Sequence, residues 1–256
     1  MSNLFDLSQK TAFITGGSSG LGVQFAHVLA RHGANLVIAA RRLEKLEEVA
    51  DEIETECGVK VLPVECDVTV EDQVKDAVSK AIAQFGQIDI LINNAGVSAI
   101  GDTQDQPKEE WDKVIEVNLT GVYLCTKHIG KHMVERGYGK IINTASMYGR
   151  VGNTLLPVSA YHASKGAVVN LTRALAAEWA EHNITVNAIG PGFFESEMTG
   201  PLRDDPDLNQ QLNQFCPMKR WGKNGELDGA VVYLASDASS YMTGQTLYVD
   251  GGWTAV

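Results

Sequence analysis

Short apolar runs alternate with longer segments of helical period along the whole chain. The runs are Lys10 to Thr15, Asn35 to Ala40, Val59 to Val68, Ile88 to Ile92, Lys140 to Ala145, Ile184 to Ile189 and Thr246 to Val249. Bounded by glycine, proline or polar residues, they read as strands, most of them buried on both faces. The segments between them carry apolar residues three and four apart. One runs through Phe25, Val28 and Leu29 to Gly33, one from Leu43 to Glu56, and one from near Val70 to Phe85, where Gly86 stops it. Pro107 opens a long helix through Trp111, Val114, Ile115 and Leu119 to about Arg136. A further helix carries Tyr161 and Lys165 to about His182, and a last one covers Glu226 to Ser236. Glu195 to Cys216 is polar, contains prolines and has weak periodicity, which suits a mobile lid.

Strand–helix alternation without repeat, linker or low-complexity break predicts one α/β domain over residues 1–256. Its core is an open, doubly wound parallel sheet of about seven strands with helices on both faces. The composition, 44% hydrophobic and 21% charged, suits a globular domain with a large core. A net charge of −11 disfavours nucleic acid or anionic membrane as a partner. The first six residues have neither a basic nor an apolar signal region, and no run of 18 apolar residues exists, so a cytoplasmic protein is expected. Cys57, Cys66, Cys125 and Cys216 form no C-x-x-C pair and read as reduced thiols. His128 and His132 lack the glutamate of a zinc-binding helix and read as surface or interface residues, so no metal is expected.

The candidate chemistry gathers at strand ends, where such sheets bind ligands. The first strand runs into Gly16-Gly17-Ser18-Ser19-Gly20-Leu21-Gly22 and a helix, a Rossmann-type anion site of free N–H groups and helix dipole. Where dinucleotide folds carry an acid for the adenosine ribose, this chain has Ala40, Arg41 and Arg42, which favours a 2′-phosphate and hence NADP(H) over NAD(H). Asp67, beside Val68, either accepts from an adenine amino group or caps the next helix. Asn93-Asn94-Ala95-Gly96 lets a flat ligand approach the backbone. Asn118 interrupts an apolar helix face and needs hydrogen-bond partners there. Tyr161 and Lys165, four apart on one helix face, make an acid/base pair in which the ammonium favours the phenolate.

These residues together resemble the short-chain dehydrogenase/reductase family over essentially the whole chain. The resemblance rests on Thr15-Gly16-x-x-x-Gly20-x-Gly22, Asn93 to Gly96, Asn118, Ser146, Tyr161-x-x-x-Lys165 and Pro191-Gly192-x-x-x-Ser196, in order and near family spacing. It implies hydride transfer between a nicotinamide cofactor and a ketone or secondary alcohol. Tyr161 is then the general acid/base, and Lys165 lowers its pKa and holds the nicotinamide ribose. Ser146 stabilises charge on the substrate oxygen, and Asn118 holds a water that links Lys165 to solvent. Ser18, Ser19, Leu21, Asp67, Val68, Asn94, Ala95, Pro191, Gly192 and Ser196 then lie along the cofactor, and a homotetramer is implied. Tyr161 follows Ser146 by 15 positions, two more than is usual in the family, and the extra residues fall near Asn153 to Val158. Asn183 to Phe194 and the tail Val249 to Trp253 resemble gluconate 5-dehydrogenases, so the substrate expectation is a sugar acid or polyol, or a broad set of ketones. Met147, Tyr148, Arg150, Leu155, Phe193 and Phe194 are the candidate substrate residues, with Arg150 set against a carboxylate. The alternatives are a 3-oxoacyl-thioester reductase, for which this acidic chain shows no basic docking patch, and a non-catalytic dinucleotide sensor, which has no need of Tyr161 or Lys165.

Overall fold

The computed structural model describes residues 3–256. Seven strands form one parallel sheet: β1 Thr11–Thr15, β2 Asn35–Ala40, β3 Val61–Glu65, β4 Ile90–Asn93, β5 Gly139–Thr144, β6 Ile184–Pro191 and β7 Thr246–Val249. Their spatial order is β3-β2-β1-β4-β5-β6-β7. All pairings are parallel, in registers such as Phe13 opposite Val37 and Ile142 opposite Asn187. The order reverses at β1, which pairs with β2 on one side and β4 on the other. A crevice opens at the carboxyl ends there, because the following connections leave in opposite directions. The expected doubly wound α/β architecture is therefore the one observed.

The pleat explains how one strand serves two cores. In β2, Leu36 and Ile38 pack on one face while Val37 and Ala39 pack on the other. The first face is covered by α1 Gly20–Arg31, α2 Leu43–Cys57 and α9 Asp228–Ala235, through residues such as Phe25, Leu46 and Val231. The second is covered by α3 Glu71–Phe85 and α5 Gly121–Arg136, through Val74, Ala77, Ile129 and Met133. Each such aliphatic side chain, when fully buried, contributes roughly 1.5–3 kcal/mol of transfer free energy.

Two segments depart from the sequence expectation. The helix opened by Pro107 is three pieces, α4 Lys108–Ile115, a π-helical turn Glu116–Thr120, and α5. The π turn contains Asn118, whose polar side chain cannot join the apolar face and is turned inward. The lid stretch folds as α7 Gly200–Asp204 and α8 Pro206–Phe215. Asp205 caps α8 by accepting from the Asp207 and Leu208 N–H groups, and Pro206 sits in the first turn, where its missing N–H costs nothing. Asp-Pro before Leu208 and Leu212 was the signal for that helix; the polar composition masked it.

The amino end of the sheet is closed by Asp89, whose side chain is 1% exposed. Asp89 accepts from the Thr11 N–H and the Gln87 amide, both at 2.9 Å, and from Arg136 at 3.1 Å. Removing the cation strands a buried carboxylate, which typically costs several kcal/mol. Arg136→Ala is expected to lower unfolding free energy by about 3 kcal/mol, measured by urea titration. A loss within the scatter of ordinary surface substitutions would show that water replaces the guanidinium there.

Candidate active site

The crevice at the β1/β4 switch is a groove of about 430 Å³. At one end it is lined by Gly16, Ser18, Ser19, Gly20, Leu21, Arg41, Arg42, Asp67 and Val68. At the other it is lined by Ser146, Tyr161, Lys165, Pro191, Gly192 and Ser196, with Asn94, Ala95 and Gly96 between. Most of the residues singled out in the sequence for dinucleotide and for chemistry therefore line one continuous depression; Gly22 and Asn118 are not on its lining.

The glycine loop is held from across the sheet. The Thr15 hydroxyl oxygen accepts from the Asn94 and Ala95 N–H groups, both at 3.0 Å. The Asn94 side-chain amide donates to the Thr15 and Gly16 carbonyls at 3.1 and 3.3 Å. Asn94 thus fixes the loop rather than presenting its amide to a ligand. Gly16 has φ +67°, and a Cβ there would lie 2.9 Å from the Ala95 Cα, so only glycine lets the two turns touch. Asp67 accepts from the Thr69 N–H and hydroxyl at 3.0 and 2.7 Å, which closes the turn before α3 while leaving it on the groove wall.

Beneath the Tyr161 end of the groove, the π turn aims Asn118 at the backbone. Its side chain accepts from the Val97 N–H at 2.8 Å and donates to the Val97 carbonyl and the Ser164 hydroxyl. The amide pins the irregular segment following Gly96 to α6 Ser159–Trp179, the helix of Tyr161 and Lys165. The turn Met147–Gly149 packs tightly on α6, where a Cβ on Gly149 would sit 2.7 Å from the Lys165 carbonyl oxygen. That approach brings Ser146 to Tyr161.

Ser146 accepts from the Tyr148 N–H at 3.1 Å, which leaves its own proton free to donate. Desolvation holds the Tyr161 phenol above its ordinary value, and the neighbouring Ser146 hydroxyl, which favours the phenolate, offsets only part of that rise. The expected depression of that phenol by Lys165 is not what the geometry delivers. The Lys165 Nζ lies 5.5 Å from the Tyr161 ring centroid and donates to the Thr144 carbonyl at 2.6 Å. Burial pulls the ammonium down to about 8.

The candidate substrate residues separate into two groups. Met147, Tyr148, Leu155 and Phe193 join an apolar cluster with Tyr161, and Trp221 and Trp253 extend it. Tyr148 stands edge-on to Tyr161, Phe193 and Trp253 and stacks on His162 at 4.4 Å. Phe194 instead packs into the core beneath α1 and α9, touching the groove from below. Arg150 is exposed and lies over the Tyr248 ring at 5.3 Å, away from the groove-lining residues. The longer loop is stapled by Asn153, which accepts from the Leu155 and Leu156 N–H groups and donates to the Leu156 carbonyl and His162. The sequence reading missed Trp221 and Trp253, although Trp253 stands in the tail Asp250-Gly251-Gly252-Trp253. It also missed Thr144, Lys45 and Glu197.

Among the described residues no three histidines, cysteines or acids converge on a possible metal site. His128 pairs with Glu71 at 2.8 Å, and His132 accepts from the Ile88 N–H. The four cysteines are free thiols.

This fold and this constellation define a nicotinamide-dependent oxidoreductase acting on CH–OH groups, and comparison with known proteins agrees. The family profile described as Enoyl-(Acyl carrier protein) reductase matches residues 16–254. The chain is 39% identical over 252 residues to Gluconate 5-dehydrogenase of Gluconobacter oxydans, covering 98% of this chain and 97% of that one. It is 39% identical over 245 residues to a 3-oxoacyl-[acyl-carrier-protein] reductase of Staphylococcus epidermidis, covering 95% and 98%. It superimposes with TM-score 0.95, at 38% identity and 99% and 98% coverage, on a gluconate 5-dehydrogenase from Burkholderia cenocepacia crystallised with NADP and tartrate. The chain belongs to the short-chain dehydrogenase/reductase family.

A buried lysine that gives up its proton near 8 when folded, but near 10.5 when unfolded, leaves the unfolded state binding more protons in that window. Stability contributed through this group therefore rises with pH across it. Relative to Lys165→Met, the wild type is expected to gain about 1 kcal/mol of unfolding free energy between pH 7 and pH 9. Parallel urea titrations measure it; a difference that stays flat with pH would mean the ammonium is solvated.

Proposed function

We propose that the enzyme interconverts a ketone and a secondary alcohol with NADP(H), in the cytoplasm, as a homotetramer. The observation that carries the catalytic reading is the convergence of the Tyr161 phenol, the Ser146 hydroxyl and the Lys165 ammonium on the groove that also holds the glycine loop. When bound, the nicotinamide supplies or accepts the hydride. In reduction Tyr161 gives its proton to the carbonyl oxygen, and Ser146 donates a hydrogen bond to the same oxygen as charge builds there. The raised phenol suits this direction, because a protonated Tyr161 persists across neutral pH. In oxidation Tyr161 takes the alcohol proton, which favours higher pH. Lys165 and Asn118 position the ribose side of the site, and the desolvated ammonium adds positive charge where the phenolate forms.

The cofactor preference is supported by Ala40 at the end of β2, which leaves no acid there, and by Arg41 and Arg42 on the groove wall. A structural relative that carries NADP points the same way. Four free thiols suit a reducing compartment. Trp111 on α4 and Tyr123 on α5, 38% and 50% exposed, offer aromatic area for subunit pairing.

For the substrate, relatives named gluconate 5-dehydrogenase support a sugar acid. A second reading, a neutral aryl or alkyl ketone, is favoured by the aromatic wall of Tyr148, Phe193, Trp221 and Trp253 and by the outward turn of Arg150. A 3-oxoacyl thioester fits the acidic surface less well, despite the reductase relative.

Tyr161→Phe is expected to reduce kcat by at least about a thousandfold while leaving NADPH affinity within about twofold; retained turnover would remove the mechanism. Arg41→Ala is expected to weaken NADPH about tenfold more than NADH, because only the former loses a charge-assisted contact. Fluorescence titration of both cofactors decides it, and unchanged discrimination refutes the 2′-phosphate reading. Turnover of 5-keto-D-gluconate, polyols, aryl ketones and a 3-oxoacyl thioester separates the substrate readings.

A further inference from the structure

The wall that should receive a 2′-phosphate already holds an anion supplied by the chain itself. Glu197 lies between β6 and α7, 155 residues from Arg42, yet its carboxylate crosses the groove mouth to the start of α2. It accepts from Arg42 at 2.9 and 3.3 Å and from Lys45 at 3.0 Å. The same Arg42 nitrogen reaches the Ser18 and Ser19 hydroxyls at 3.4 and 3.3 Å. The two cations and two hydroxyls gathered around this carboxylate form the donor set that a phosphate dianion would seek. The two cations hold the Glu197 carboxyl down to about 2, so it stays charged at any working pH. Arg41 lines the groove beside them and has no hydrogen-bonding partner among the described residues.

We propose that Glu197 is a cofactor-specificity residue, an internal competitor that occupies the 2′-phosphate cations and is displaced when NADP(H) binds. This rests on the 2′-phosphate reading of Arg41 and Arg42. The acid that strand β2 lacks at Ala40 is delivered instead from a segment that can leave. NAD(H), with no phosphate, leaves the Glu197 pairs in place; NADP(H) must exchange them for its own. Glu197 thereby narrows the preference that the arginines set. Displacement also moves Ser196, the neighbour that packs on Gly20 and bonds Thr199 at 3.0 Å. Occupancy of the phosphate site is thus tied to the segment leading into α7 and α8.

Glu197 and its partners are about half exposed, so each pair is a weak one. Glu197→Gln is accordingly expected to tighten NADPH about threefold to tenfold and to leave NADH within about twofold. In an Arg42→Ala/Lys45→Ala background the same substitution is expected to do nothing, since there is no cation to release. Isothermal titration of NADPH and NADH against the wild type, Glu197→Gln, the Arg42→Ala/Lys45→Ala double variant and the triple variant reads all of this. If Glu197→Gln leaves NADPH affinity unchanged, weakens it, or tightens both cofactors alike, the competition is refuted. If the effect persists without Arg42 and Lys45, it is refuted as well. Wild-type protein that binds both cofactors equally would overturn the 2′-phosphate reading, and this inference with it. Wild-type discrimination with a silent Glu197→Gln would overturn this inference alone.

Discussion

A lysine ammonium buried at the carboxyl edge of the sheet is the constraint that orders the rest. Lys165 is 3% exposed and has no carboxylate partner among the described residues; what holds it is the Thr144 carbonyl at the end of β5. Desolvating a cation against one carbonyl is costly, and the fold meets that cost with rigidity around it. Asn118 ties the Val97 backbone to Ser164 one residue before Lys165, and Gly149 lets the preceding turn lie flat on α6. A fixed, under-solvated positive charge has little to interact with in the folded chain, so it is free to act on whatever negative charge forms beside Tyr161. The π turn at Glu116–Thr120 belongs to the same arrangement, since a regular helix would not leave Asn118 aimed at that backbone.

The sheet beneath supplies position rather than chemistry. Parallel strands buried on both faces put their carboxyl ends in one row, and the reversal of order at β1 separates the connections above it. Several polar residues on the central strands bond one another, although the Asn93 Oδ1 and the Thr144 hydroxyl find no partner among the described residues. Asn93 donates to Thr126 and Asn143, and Asn143 donates to Thr172. These bonds cross-link β4, β5, α5 and α6 just below the groove, where slack would blur the distance between hydroxyl and phenol.

Local order was legible because local rules governed it. Strand–helix alternation, the glycine stop at Gly86 and motifs at strand ends all follow from neighbours in sequence. The glycine loop, Ser146, Tyr161 and Lys165 were placed together for that reason. What stayed hidden depended on three-dimensional context. The Tyr161 phenol rises because desolvation outweighs the influence of the nearby Ser146 hydroxyl, a balance that no spacing encodes. Phe193 and Phe194 are adjacent in sequence but join the aromatic cluster beside Tyr161 and the core respectively. Arg150 faces Tyr248 because the turn after Gly149 sends it outward. The pairing of Glu197 with Arg42 and Lys45 spans more than half the chain, and nothing near any of the three announces it.

That last contact changes how the phosphate end of the groove is understood. A fixed acid on β2 would reject a 2′-phosphate permanently by like-charge repulsion. An acid on a segment outside the sheet opposes the phosphate only with the strength of two exposed ion pairs, each weak and screened by salt. The phosphate dianion carries more charge than a carboxylate and meets a third cation in Arg41, so the exchange runs toward the cofactor. Selectivity at this site is therefore graded, set by the difference between an internal and an external anion competing for the same guanidinium. It also reaches beyond that end of the groove, because the chain that yields Glu197 continues directly into α7 and α8, whose Leu202, Leu208 and Leu212 pack on the aromatic cluster around Tyr161.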